Sequence, residues 1–312
     1  MKRFAILILI TALLLSACGA QTAAPSETAV TCTDDLGRTV TVDSPQRVAA
    51  LLGSFAQIWM LAGGEVVATA DDAWDDLQLD LPEDTVNLGN TKSLSLELLF
   101  SSRPDFILAS TNTRQNVQWQ DTLESAGIPV AYFDVGDFDD YLRLLSICTD
   151  ITGQSDRYEQ YGPAVQSRID AVLEKSAARV EANGAPKVLC MVASASNIHV
   201  KNSKNNVLGE MLLALGCVNI ADSEESLLEN LSLEYILRED PDYIFFVQRG
   251  DDAPGMMEKI SRELESNPLW QQLTAVREGR VYIMEKNLYN LKPNHRWAEA
   301  YEGLEAILAN EA

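Results

Sequence analysis

SLELLFSSRPDFILAS, residues 95–110, and SLEYILREDPDYIFFV, residues 232–247, are one segment written twice: they align without a gap at an offset of 137 residues, with six of sixteen positions identical. Each copy spells a capped short helix followed by a strand. Ser95 and Ser232 stand where an N-cap hydroxyl accepts a backbone N–H, and Glu97 and Glu234 fall in the first turn, near the positive end of the helix dipole. Pro104 and Pro241 stop each helix before an apolar run begins. A supersecondary unit repeated this far apart predicts two lobes with one copy in each.

On either side of both copies, short β-branched runs alternate with helical patterns, the signature of α/β architecture with mainly parallel sheets. Strands are expected at 38–42, 47–52, 66–70, 105–109 and 129–134, and again at 187–193, 242–247 and 280–284. Helices are expected at 55–62, 95–101, 115–126 and 137–152, three of them closed by Gly63, Gly127 and Gly153. Between the halves, residues 155–182 place Tyr158, Tyr161, Val165, Ile169 and Val172 at three- and four-residue steps, and Ser176 and Val180 continue that face. One helix of that length measures about 40 Å, enough to run from lobe to lobe. Gly162-Pro163 should kink it or mark its true start. The fold class is therefore α/β: two Rossmann-like lobes with mainly parallel sheets, joined by one long α-helix, with a ligand cleft between the lobes. A single helical link predicts a stiff hinge.

The first residues carry Lys2 and Arg3, an apolar run from Phe4 to Leu15, and then Leu15-Ser16-Ala17-Cys18. The run is too short to span a bilayer and reads as a cleaved export signal. The tetrad resembles the lipobox of bacterial lipoproteins, which implies a lipidated Cys18 as the first mature residue and an extracytoplasmic chain anchored to the cell membrane. The expected organisation is a signal peptide at 1–17, a tether at 18–30, a first lobe at 31–154, the connecting helix at 155–183 and a second lobe at 184–312.

Net charge is −22, and −24 once Lys2 and Arg3 are removed, which excludes nucleic acid as a partner and assigns membrane attachment to the acyl anchor. Cys32, Cys148, Cys190 and Cys217 show no C-x-x-C or metal-finger spacing. Three pairings are open to them, and the apolar surroundings of Cys148 and Cys190 favour buried small hydrophobes.

The export signal and lipobox, the stretch DDLGRTVTVDSPQRVAALLGS at 34–54, the paired SLE…PD segments and the mid-chain helix together resemble the helical-backbone class of ABC-importer substrate-binding proteins, which includes siderophore, haem and cobalamin binders. The class typically shows D-x-x-G-R-x-V-x-V before a Pro-Arg-Val strand. Asp34, Gly37, Arg38, Val40 and Val42 match, and Pro45, Arg47 and Val48 follow with Gln46 inserted. The resemblance implies a monomeric carrier without cofactor or catalytic residues that delivers an iron complex to a permease dimer and its ATPase. It also implies that Glu97 and Glu234 dock on permease arginines, one glutamate per lobe.

Ligands of open α/β sheets bind beyond the carboxyl ends of the strands. That rule nominates Ser54, Asp72, Trp74, Asn112 and Arg114 from the first lobe, and Ser194, Asn197, Gln248, Arg249, Tyr289, Asn290 and Lys292 from the second. Aromatic faces with guanidinium and ammonium groups suit a bulky, anionic chelate such as a ferric siderophore or haem. Tyr289 is singled out because tyrosinate is a hard ligand for ferric iron. A corrinoid is the next reading. Direct capture of bare Zn²⁺ or Mn²⁺ ranks lower, because the chain holds two histidines, His199 and His295, and Asp71 and Asp72 would have to supply oxygens. His295 opens a C-terminal helix with Trp297, Tyr301, Leu304 and Leu308 on one face and reads as structural. A hydrolase or a surface sensor on the same sheets is the alternative class, against which stand the missing G-x-S-x-G, G-x-x-x-x-G-K, G-x-G-x-x-G and H-E-x-x-H patterns.

Overall fold

The computed structural model describes residues 28–204, 206–224, 226–250 and 252–310; the export signal, Cys18 and most of the tether lie outside them. The strands are β1 (Val30–Thr33), β2 (Thr39–Val42), β3 (Val48–Ala50), β4 (Val66–Thr69), β5 (Val86–Asn87), β6 (Phe106–Ser110), β7 (Val130–Phe133), β8 (Lys187–Ala193), β9 (Ile198–Lys201), β10 (Val218–Asn219), β11 (Tyr243–Gln248) and β12 (Val281–Met284). The first lobe is a parallel sheet in the order β5-β4-β3-β6-β7. The second runs β10-β8-β11-β12 in parallel, with β9 antiparallel on the far half of β8. Every residue of β6, and all but the last of β11, is buried, as a parallel sheet covered on both faces requires. Two lobes with mainly parallel sheets follow, as the sequence pattern predicts.

The two copies of the repeat occupy equivalent places. The Ser95 hydroxyl accepts the Leu98 N–H at 3.2 Å and the Ser232 hydroxyl accepts the Tyr235 N–H at 3.3 Å, so both serines cap their helices. The Pro-Asp pair does more than end a helix. Asp105 receives the Gln46 and Arg47 N–H groups, both at 2.8 Å, and Asp242 receives the Lys187 N–H at 2.8 Å. In each lobe the aspartate thus pins the start of the neighbouring strand, β3 or β8, and sets the register of the sheet.

The tyrosine-rich stretch expected to open the long helix is a separate helix, Ser155–Tyr161, and the helix that links the lobes is Pro163–Asn183. Gly162 breaks the two because a side chain there would sit 2.9 Å from the Tyr158 carbonyl, and Pro163, which lacks an N–H, suits the first helical position. Its 21 residues measure about 31 Å rather than 40 Å. Val165 and Ile169 of this helix are buried in a core that also holds strand residues of both lobes. β1 begins at Val30, inside the expected tether, and pairs with β2; Asp34 ties the hairpin down by accepting the Leu36, Arg38 and Tyr132 N–H groups and the Arg38 guanidinium. Cys32, Cys148, Cys190 and Cys217 are free thiols, the last three buried. No helix among the described residues is long and apolar enough to cross a membrane.

Candidate functional site

A cavity of about 640 Å³ opens between the lobes at the carboxyl ends of their strands. The first lobe contributes Asn112 after β6 and Asp134, Val135 and Gly136 after β7. The second contributes Val247 and Arg249 at the end of β11, and Tyr289, Asn290 and Lys292 behind the short helix Lys286–Tyr289 that follows β12. Residues 190–192 of β8, Lys201 at the end of β9 and the first turn of the helix Val207–Ala214 complete the wall.

Of the twelve residues nominated for the cleft, Asn112, Arg249, Tyr289, Asn290 and Lys292 line this cavity. Ser194 and Asn197 do not: they close the turn between β8 and β9, where the Ser194 hydroxyl accepts the Asn197 N–H at 3.1 Å, and they border a smaller hollow beside Lys92 and Arg249. Ser54 and Trp74 are also off the cavity, for one shared reason. The chain after β12 crosses back to the first lobe and takes those loops for inter-lobe contacts. The Asn294 amide donates to the Ser54 carbonyl at 3.0 Å and to Gln57 Oε1 at 2.7 Å, while Lys286 and Asn287 hold Asp76 through its carboxylate at 2.6 Å and its carbonyl at 2.7 Å. Asp72 is occupied in the same region as acceptor of the Gly53 N–H at 2.9 Å. Arg114 is exposed on the first turn of the helix Arg114–Gln118, outside the cavity wall.

Tyr289 meets the cavity but is not placed to bind iron. Its hydroxyl donates to the Ala300 carbonyl at 3.0 Å and would touch a side chain at Gly303, so the phenol end is packed against the C-terminal helix Trp297–Leu308, and burial pushes its titration far up. Among the described residues no group of three or more His, Cys, Asp or Glu side chains is gathered as a metal would need.

Charge is unevenly spread over the wall. Burial pushes the Lys292 ammonium down, partly offset by Asp134 and Asp140; burial likewise raises Asp134, which Lys292 holds back and whose carboxylate takes the Asn112 amide. Arg249 and Lys201 make no side-chain hydrogen bond or ion pair among the described residues. Lys201, Asn206 and Glu210 are polar wall residues that the strand-end rule misses. Lys201 sits on an antiparallel strand that the rule does not cover, and the alternation IHVK at 198–201 is its one sequence signal. Asn206 caps its helix by accepting the Gly209 N–H at 2.8 Å.

Away from the cavity, Glu97 and Glu234 are exposed and unpaired among the described residues. The hinge is braced on its other side, where the C-terminal helix packs along the linking helix. Arg168 grips Glu302 at 2.9 and 2.7 Å, and Arg179 meets the buried Glu305 at 3.1 Å. His295 rests edge-on to Tyr161 at 6.0 Å, and burial pushes its imidazole down.

A family model described as periplasmic binding protein matches residues 48–288. The Bacillus subtilis protein YhfQ, which bears the name of an ABC transporter substrate-binding lipoprotein, is 24% identical over 97% of this chain and 95% of its own. The Fe(3+)-citrate-binding protein YfmC of Bacillus subtilis is 24% identical over 82% of this chain and 78% of its own. Among solved structures, Staphylococcus aureus SirA complexed with staphyloferrin B superposes with a TM-score of 0.72 at 20% identity, over 90% of this chain and 98% of that one.

Proposed function

The chain belongs to the periplasmic binding protein family, and from that premise we propose that it is the substrate-binding component of an ABC importer, a lipid-anchored carrier that captures a ferric chelate outside the cytoplasm and hands it to a permease. The observation that carries this reading is the cavity of about 640 Å³ between two lobes, walled from both by strand-end residues. That volume lies within the range of small-molecule sites, and the iron-complex names borne by related proteins favour a ferric chelate as cargo. Carriage needs no catalytic group; it needs contacts from both lobes that make the loaded form distinguishable from the empty one.

The exposed Glu97 and Glu234, at equivalent places in the repeat, fit the role of paired docking knobs. Each offers a free carboxylate to a permease arginine, and the pseudo-symmetry of the lobes suits a dimeric permease. Cys18 supplies the acyl anchor. The inter-lobe braces restrict closure to a small amplitude, so loading shifts the populations of two similar forms instead of driving a wide hinge motion.

The test is a titration of the mature chain from residue 19 onward with ferric chelates, haemin, cobalamin, Zn²⁺ and Mn²⁺, read by intrinsic tryptophan fluorescence. Saturable sub-micromolar binding of a ferric chelate is expected. Binding of a bare metal ion alone, or none across the panel, overturns the reading. Replacing Glu97 and Glu234 together by alanine should abolish cellular uptake while leaving that titration unchanged.

A further inference from the structure

The cations of the cavity wall are unusual for this chain. Acids outnumber bases 46 to 24, and arginines elsewhere are commonly neutralised: Arg38, Arg143, Arg168, Arg179, Arg262 and Arg296 each reach a carboxylate. Among the described residues Arg249 and Lys201 reach none, despite the surplus of acids. Both lie on the second lobe, Lys201 at the end of β9 and Arg249 just beyond β11. Both border the 640 Å³ cavity and a neighbouring hollow of about 350 Å³ that His199 and Lys204 complete, and Arg249 borders a third of about 340 Å³ with Lys92. The two acids on the main wall already interact within the protein, Asp134 with Asn112 and Lys292, and Glu210 with a protein partner of its own. A cationic strip therefore runs from the cavity out over the adjoining hollow, its charge waiting for an external anion.

The rest of the wall narrows the anion. Among the described residues Tyr289 is the one aromatic side chain on it; it is 6% exposed and its hydroxyl is committed to Ala300, so the described wall offers neither a broad stacking surface nor a phenolate for iron. Flat macrocycles, whose recognition leans on stacking, find little there, and a ferric tricatecholate, anionic though it is, has no carboxylate free of iron to meet a guanidinium fork. A guanidinium and an ammonium lining one cavity match a ligand with several carboxylates: Arg presents a planar fork to both oxygens and Lys a compact point charge.

Resting on the carrier reading above, we infer that the cargo is a ferric polycarboxylate of the α-hydroxycarboxylate type. The iron-bearing core sits in the main cavity with its coordination supplied by the chelator, and carboxylates not bound to iron reach Arg249 and Lys201, the outer ones extending toward Lys204. Arg249 and Lys201 are the residues that set specificity. The same strip, set in a strongly negative molecule, focuses approach of anionic cargo on the mouth of the cleft.

The experiment compares the mature chain with its Arg249→Ala, Arg249→Lys, Lys201→Ala and Arg114→Ala variants, titrated with ferric citrate, a neutral ferric trihydroxamate and haemin at low and high salt. Arg249 is exposed, so its loss should leave the melting temperature unchanged. Ferric citrate should bind tightest; losing a charge-assisted partner should weaken it about 10- to 100-fold in Arg249→Ala and about 10-fold in Lys201→Ala. Arg249→Lys, which keeps the charge but not the fork, should fall between, and Arg114→Ala, an exposed arginine off the wall, should bind normally. Tighter binding of the neutral trihydroxamate or of haemin, indifferent to Arg249 and Lys201, overturns the polycarboxylate assignment and leaves the carrier reading standing. Absence of binding to every chelate overturns both.

Discussion

Glu305 provides a stringent test of how the lobes are held together. Its side chain is 2% exposed, and it faces an Arg179 guanidinium that is 10% exposed, at 3.1 Å. Arg179 also donates to the Leu215 carbonyl and the Ser176 hydroxyl, both at 3.0 Å, so one side chain joins the linking helix, the second lobe and the C-terminal helix. Glu305→Ala leaves that cation largely desolvated with its counter-charge gone, a loss of about 3–5 kcal/mol when one partner of a buried pair is removed. For a chain of this size about 2–4 °C of melting temperature accompanies each kcal/mol, so the midpoint should fall by about 6–20 °C. Thermal unfolding of the ligand-free mature chain, followed by far-UV circular dichroism, reads the midpoint directly. Glu305→Gln, which keeps an acceptor but not the charge, should lose less, and the double variant Arg179→Met/Glu305→Leu should recover most of the loss because no buried charge remains. A fall of under about 2 °C in Glu305→Ala would refute the reasoning, since by the same scaling it amounts to about 1 kcal/mol or less, the worth of an exposed pair.

Three further outcomes follow from the same geometry. Hydrogen bonds from Arg38 and Tyr132 outweigh the burial of Asp34 and hold its carboxyl below the usual range; a depressed folded-state pKa contributes stability above the unfolded value and loses it as pH falls, so Asp34→Asn should be less stable at pH 7 and show a flatter acid limb below about pH 4. Asp72 has the opposite sign: burial, with Asp71 and Asp76 nearby, pushes it up to about 6, so wild-type stability should decline as pH rises from about 4 to 6, and Asp72→Asn, which keeps the acceptor for Gly53, should abolish that decline in urea unfolding. Ser95→Ala and Ser232→Ala should each cost about 1 kcal/mol, and their sum should be additive because the caps belong to different lobes.

The strands and the two lobes were legible because their signals are local. Phe106–Ser110 and Tyr243–Gln248 read as buried parallel strands from apolar runs bounded by proline and polar residues, and the capping serines need only their own helix to act. Short pairings were not legible. β5 and β10 have two residues each, too few to show a period, and β9, at four residues, pairs antiparallel with β8, a partnership that its short alternation alone does not announce. The candidate site divides in the same way. Asn112, Arg249 and Asn290 follow from the rule that ligands sit beyond strand ends, because that rule depends on topology, and topology was readable.

What the sequence could not convey is a contact made across more than two hundred residues. Ser54 and Trp74 follow the ends of β3 and β4, in the first turn of the helix Gly53–Leu61 and in the short helix Asp72–Asp75, just as Asn112 follows β6, and nothing near them in the chain says that one group will line the cavity and the other meet a protein segment. The difference is made by residues 286–294, which return from the second lobe and place Asn294 on the helix after β3 and Lys286 and Asn287 on Asp76 at the end of the short helix after β4. The same return positions the C-terminal helix against the linking helix, where Glu305 and Glu302 take Arg179 and Arg168. The segment that takes residues after β3 and β4 for protein contacts thus also braces the linking helix, and the half of the cleft left open is the one where Arg249, Lys201 and Lys292 stand.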